Sequence, residues 1–138
     1  HARNLILYFL DKHFPDPDHL VRPTDPLPIV IDEAEIRELF PTDDRLENYR
    51  ALNKAVREIG LNIPPLVNAY MALSPEMRVF GTAINEDFGH VEETGILIAI
   101  DEIIPDKRVR HIETFDPDKA QSDLLWTNIS RRVRLVKS

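Results

Sequence analysis

The chain has 138 residues, a net charge of −7 and no cysteine. That is length enough for one hydrophobic core, and it excludes disulfides, thiolate nucleophiles and thiolate metal sites together. With 43% hydrophobic and 30% charged residues the balance is that of an ordinary globular domain, and no apolar run approaches the 18 or so residues of a membrane span.

Absence of cysteine fits a reducing, cytoplasmic setting. The last thirteen residues carry Arg131, Arg132, Arg134 and Lys137 and no acid, so the body is more acidic than the net charge implies. Such a body lacks the basic face that phosphate neutralisation requires, so nucleic acid is not an expected partner. The basic tail reads as a solvated end or as a contact for anionic lipid or an acidic carrier protein. His1 stands directly against a helical pattern with neither a capping residue nor a lead-in loop, which leads us to expect a fragment.

In chain order, residues 2–14 read as a strongly apolar helix buried on more than one side. A surface connection follows over 15–28, stiffened by Pro15, Pro17, Pro23, Pro26 and Pro28. Ile29-Val30-Ile31 suggests a short strand, and Asp32 is placed to cap a helix over 33–40. The clearest helix spans 43–60, where Leu46, Tyr49, Leu52, Val56 and Ile59 form one apolar stripe. Asp44 and Glu47 resemble a capping box, and Gly60 a left-handed terminator.

Asn62 is positioned to cap the next helix, with Pro64 in its first turn and LVNAYMAL apolar all round, so we expect a central helix ended by Ser74-Pro75. Strands are expected over Met77–Ile84 and Thr94–Asp101, joined through NEDFGHVEE. Beyond Pro105, KRVRHIETF suggests an edge strand and DKAQSDLLWTNISRR a short helix. The fold class is therefore α+β, helices on a small and mainly antiparallel sheet. It fills a single domain or domain fragment over 1–138, with its core at about 2–104 and a weakly patterned tail over 105–138.

Several chemistries drop out. The four glycines, Gly60, Gly81, Gly89 and Gly95, are too scattered to cradle a phosphate. No serine lies in a nucleophile-elbow pattern. The histidines lack zinc-ligand spacing, and the Asp16/Asp18 and Asp116/Asp118 pairs lack the glycine and distal glutamate of a calcium loop, so no metal is expected.

Five residues remain as candidates. Asn68 is a lone amide inside an apolar helix, where it must bond either a substrate amide or a neighbouring loop. Tyr70 offers either a hydroxyl in a cavity or a core ring with a wet tip. Glu92 and Glu93 are adjacent and point to opposite faces of an extended segment, so one of them at most faces a cleft, as general base on an amine; the other reading is a solvated loop edge. Arg78 either pairs with that glutamate, holds a substrate carboxylate or forms a surface ion pair.

A family resemblance rests on residues 63–101. Pro64-Pro65-Leu66, Tyr70-Met71-Ala72-Leu73, Phe80-Gly81, Glu86-Asp87-Phe88 and Ile96-Leu97-Ile98-Ala99-Ile100-Asp101 come in an order that resembles the later part of the hemolysin-named, ornithine-lipid-synthase-type N-acyltransferases, which are bacterial and related to the GNAT-like fold. The resemblance implies transfer of a fatty acyl group, from acyl carrier protein or acyl-CoA, to an amino-acid amine in membrane-lipid synthesis. It also implies a cytoplasmic site, at the inner face of the membrane. The sequence departs from the family at Asn68, where relatives often carry a basic residue, at Ser74-Pro75, and in lacking a glycine-rich pyrophosphate loop. The other readings are a non-catalytic lipid-binding accessory domain and a self-associating domain that forms a homodimer.

Overall fold

The apolar residues of the first thirteen positions recur at helical spacing, and they form α1 (Ala2–His13), which ends as Phe14 leaves helical geometry ahead of Pro15. In the computed structural model, which describes residues 1–114, the chain divides into one unit of His1–Glu102 and a second from Ile103 onward. The first unit continues with α2 (Glu33–Leu39), α3 (Arg45–Glu58), α4 (Pro65–Leu73), β1 (Arg78–Asn85) and β2 (Val91–Leu97). The fold is α+β, with β1 and β2 forming a two-stranded antiparallel sheet.

The core is built around α1. Leu5, Ile6, Phe9 and Leu10 meet Leu52 and Val56 of α3 on one side, and Met77 and Val79 at the start of the sheet on another. Phe9 is 1% exposed, and the rings of His13, Phe14, Phe40 and Tyr49 stand around it at centroid separations from 4.7 to 6.5 Å. Burial of one such ring contributes about 1.5–3 kcal/mol, so this aromatic group dominates the local energetics.

Both predicted acidic caps form. The Asp32 carboxylate accepts from the Ala34 N–H at 2.7 Å, and that of Asp44 from the Glu47 N–H at 2.7 Å. The return half of the capping box does not form, because the Glu47 carboxylate accepts from the Thr42 hydroxyl instead. The buried line of α3 is Asn48, Leu52 and Val56, while the expected stripe members Leu46 and Ile59 are 57% and 50% exposed.

Asn48 is 1% exposed, and its Nδ2 donates to the Thr42 carbonyl at 2.8 Å and to His13 Nε2 at 2.9 Å. His13 therefore keeps its own proton on Nδ1. Burial, then the charges of Lys12 and Arg45, hold its pKa below the usual value against the opposing pull of Asp43 and Asp44.

The proline-rich connection forms no strand, but it covers the outer edge of β1 at two points. The Val79 N–H donates to the Phe14 carbonyl and the Leu27 N–H to the Thr82 carbonyl, each at 2.8 Å. Within the sheet Val79 faces Ile96 and Thr82 faces Thr94, so Phe80 and Gly81 together oppose one residue of β2. Gly81 adopts φ +96°, and a Cβ there would lie 3.4 Å from the Pro23 ring.

Five sequence expectations need correction. Helix α4 is peripheral: none of its residues is buried and Leu66 is 61% exposed. Its cap position is Pro64 with no side-chain hydrogen bond, so Asn62 does not cap it. Residues 29–31 form no strand. The second strand begins at Val91 and ends at Leu97, and Ile100–Glu102 forms a 3-10 turn in place of the strand expected to reach Asp101. In the second unit, KRVRHIETF is not an edge strand: Pro105 starts the short helix α5 (Pro105–Arg108), and Val109–Glu113 follows as a π turn. The helix expected within 118–132 and the basic tail lie outside the described residues.

Asn48→Leu leaves the Thr42 carbonyl and a histidine nitrogen without their donor, and we expect a loss of about 1–3 kcal/mol in urea denaturation. The unfolded chain binds a proton at His13 more tightly than the folded one. Stability is therefore full above the unfolded value of 6.5 and declines as pH falls below it. Burial raises the Asp11 carboxyl above 3.8, and that group acts in the opposite sense at lower pH. His13→Gln preserves an acceptor for Asn48, so its urea midpoint should change less than the wild type's between about pH 7 and pH 5; equal declines would refute this.

Candidate functional site

A groove of about 580 Å3 runs along α1, with α4 on one side and the core-facing side of the sheet on another. Ala2, Ile6 and Leu10, each one turn from the next, line it from α1, and Leu66, Val67 and Tyr70 line it from α4. Pro64 is extended at the cap and Pro65, with its fixed φ, opens α4, whose Val67, Tyr70 and Met71 pack partly buried against the core beside the groove. From β2 come Glu92, Thr94 and Ile96, alternate residues that share one face of the strand. The bulge at Phe80 and Gly81 brings Thr82 to the same face, opposite Thr94.

The groove is mostly apolar, and besides Asn62 and Tyr70 its polar lining is two side-chain pairs. Thr82 and Thr94 share a hydrogen bond between their hydroxyls at 2.7 Å. One hydroxyl proton is used in that bond, and the other is left to donate to a ligand oxygen. At the rim, Arg3 Nη1 donates to Glu92 Oε1, and the two side chains are 50% and 35% exposed. Arg3 is oriented from behind by a 3.0 Å bond from its Nε to Asn4 Oδ1.

Of the five candidates, Tyr70 and Glu92 line this groove together. Glu93 lies on the opposite face of the sheet, where its Oε1 accepts from Asn85 Nδ2 at 3.1 Å. Asn68 is half-buried, and its Oδ1 accepts from the Tyr49 hydroxyl at 2.8 Å, which ties α4 to α3. Arg78 pairs with neither glutamate. Its Nη1 donates to Asp18 at 2.5 Å and to Asp16 at 3.4 Å, which anchors the proline-rich connection to β1, and these carboxylates raise its pKa further.

Sequence reasoning missed Arg3, Thr82 and Thr94. Alternation along β2 marks Thr94 once Glu92 is placed. Thr82 could not be found this way, because the bulge breaks the two-residue period. Arg3 sits one turn before Leu7 on α1, and only the packing of α1 beside β2 reveals its partner. Among the described residues no three His, Asp or Glu side chains gather closely enough to hold a metal, and no helix is long and apolar enough to cross a membrane.

The chain is similar to two curated proteins, each named glycine N(alpha)-acyltransferase. It is 61% identical over 114 residues to the one from Bacteroides thetaiotaomicron, an alignment covering 83% of this chain and 34% of that protein. It is 62% identical over 114 residues to the one from Phocaeicola vulgatus, covering 83% of this chain and 35% of that protein. The chain thus spans about a third of the length of the curated relatives it matches. Their names agree with the acyl-transfer part of the family resemblance and do not contain its hemolysin part. No family model matches the chain, and no solved structure matches it.

Proposed function

We propose that this chain forms the acyl-facing part of an N-acyltransferase that moves a fatty acyl group from a thioester carrier to the amine of an amino acid. The observation that carries this reading is the apolar groove with a single carboxylate, Glu92, at its rim. Its volume lies in the range of ordinary ligand sites, about 300–1,000 Å3. Its walls exclude water from a hydrocarbon chain, and the names of the relatives supply the reaction class and glycine as acceptor.

In this mechanism the acyl chain lies along Ile6, Leu10 and Ile96 with its thioester carbonyl toward the threonine pair. The free hydroxyl proton there donates to the carbonyl oxygen, where charge develops as the amine attacks. Glu92 takes a proton from the acceptor ammonium, and the freed lone pair forms the C–N bond. The C–S bond breaks with its electron pair going to sulfur, and the second amine proton leaves to solvent or to the carrier thiolate. Donor binding is not assigned to this chain, because no glycine-rich loop is present to cradle the phosphates of coenzyme A or of acyl carrier protein. The product, an N-acyl amino acid, is an amphiphile suited to membrane-lipid synthesis at the inner face of the membrane. A peripheral contact there rests on the basic tail, which lies outside the described residues. Helices against an antiparallel strand pair are also what a portion of a GNAT-like domain would contribute.

Val67→Trp fills the groove from α4, where Val67 is only partly buried at the edge of the core. Hexadecanoic acid should raise the melting temperature of the wild type and not of this variant, whose own melting temperature should stay within a few degrees. Equal stabilisation of both would remove the groove as the acyl site. In an acyl-transfer assay of the full chain, Glu92→Gln should lower kcat by about 100-fold or more; unchanged turnover would remove Glu92 as the base.

A further inference from the structure

Sixteen residues line the groove, and only Arg3 and Glu92 carry charge. They come from elements far apart in sequence, the first turn of α1 and the second residue of β2. Their contact is single-pronged. Arg3 Nη1 meets Glu92 Oε1, while Arg3 Nη2 and Glu92 Oε2 make no hydrogen bond among the described residues. A half-exposed pair of this kind contributes about 0–1 kcal/mol to stability. The fold therefore has little need of it, and exposure leaves both free atoms within reach of a ligand.

A free guanidinium nitrogen beside a free carboxylate oxygen is the complement of a zwitterion. Building on the acyl-transfer reading, we propose that Arg3 and Glu92 together form the acceptor subsite. Arg3 holds the carboxylate of a free α-amino acid, and Glu92 holds its ammonium before taking the proton. This placement sets the amine beside the reacting carbonyl. Glu92 and Thr94 are alternate residues on one face of β2, so their Cα atoms stand about 7 Å apart. An amine held by the Glu92 carboxylate then lies between that group and a carbonyl bonded at the threonine pair. Arg3 is the specificity determinant in this arrangement: an amine without a carboxylate, such as ethanolamine, leaves the guanidinium unmatched.

The test compares three amphiphiles with one chain length, titrated calorimetrically into the 138-residue protein: N-hexadecanoylglycine, its methyl ester and N-hexadecanoylethanolamine. We expect the free carboxylate to bind about 10-fold more tightly than the two neutral ligands. Arg3→Gln should abolish that preference, leaving neutral-ligand affinity and melting temperature nearly unchanged. Glu92→Gln should preserve or increase the preference, because it frees Nη1 of Arg3 for the carboxylate. Equal binding of all three ligands, or a preference that survives Arg3→Gln, overturns the acceptor subsite while the acyl groove stands. A large drop in melting temperature in both variants, with all three ligands lost, makes the pair a strut between α1 and β2 and overturns it as well. Failure of the wild type to bind any of the three removes the groove reading itself, and the subsite with it.

Discussion

Phe9 is almost wholly buried among four rings drawn from α1, α3 and the turns that flank them. Because those rings arrive from separate elements, α1 is held in one position and one rotation about its axis. Everything else is arranged relative to it. Ala2, Ile6 and Leu10, all buried, also form one wall of the groove, with α4 along another. The rotation that buries these residues therefore also sets the course of the groove, and it brings Arg3 to the rim.

The helices were legible because their periodicity and caps are local properties. Residues 2–14 and 43–60 differ from α1 and α3 by only a residue or two at each end, within the fraying expected of helix termini. Position within the fold was less legible. LVNAYMAL is apolar all round and reads as central, yet α4 is half-exposed, since its composition does not say whether protein or ligand will cover it. The core proved to rest on α1 and α3 more than on residues 63–101. The strand pair was found, but its parity was not: a period of two counted along β1 fails at Phe80 and Gly81. Arg3 with Glu92 is a contact across 89 residues, and no local pattern encodes such a pair.

Polar groups inside this unit are satisfied by short, specific bonds. Asn48 occupies a position in the buried line of α3 where periodicity calls for an apolar residue, and its amide joins the turn before α3 to the end of α1. An aliphatic side chain there would pack without fixing which turn meets which helix. Asp16, its side chain nearly buried, works similarly: its carboxylate accepts from the Asp18 and Leu20 N–H groups and from Arg78, so one acid shapes the loop and fastens it to β1. These bonds hold the frame around the groove without entering it.

The two faces of the sheet differ in what lies over them. On the face away from the groove, Phe80 lies over Gly95 and Pro23 over Gly81, each at 3.4 Å from where a Cβ would be. Gly81 holds a positive φ that strains any side chain placed there, whereas Gly95 is exposed and meets Phe80 at ordinary contact distance. On the groove side, Glu92, Thr94 and Ile96 line the groove, Thr94 bonded to Thr82 and Ile96 packed against the core. Substitution at Glu92 or Thr94 therefore changes the polarity of the groove without touching the glycine that the bulge requires at position 81, so the two faces of one hairpin can vary independently.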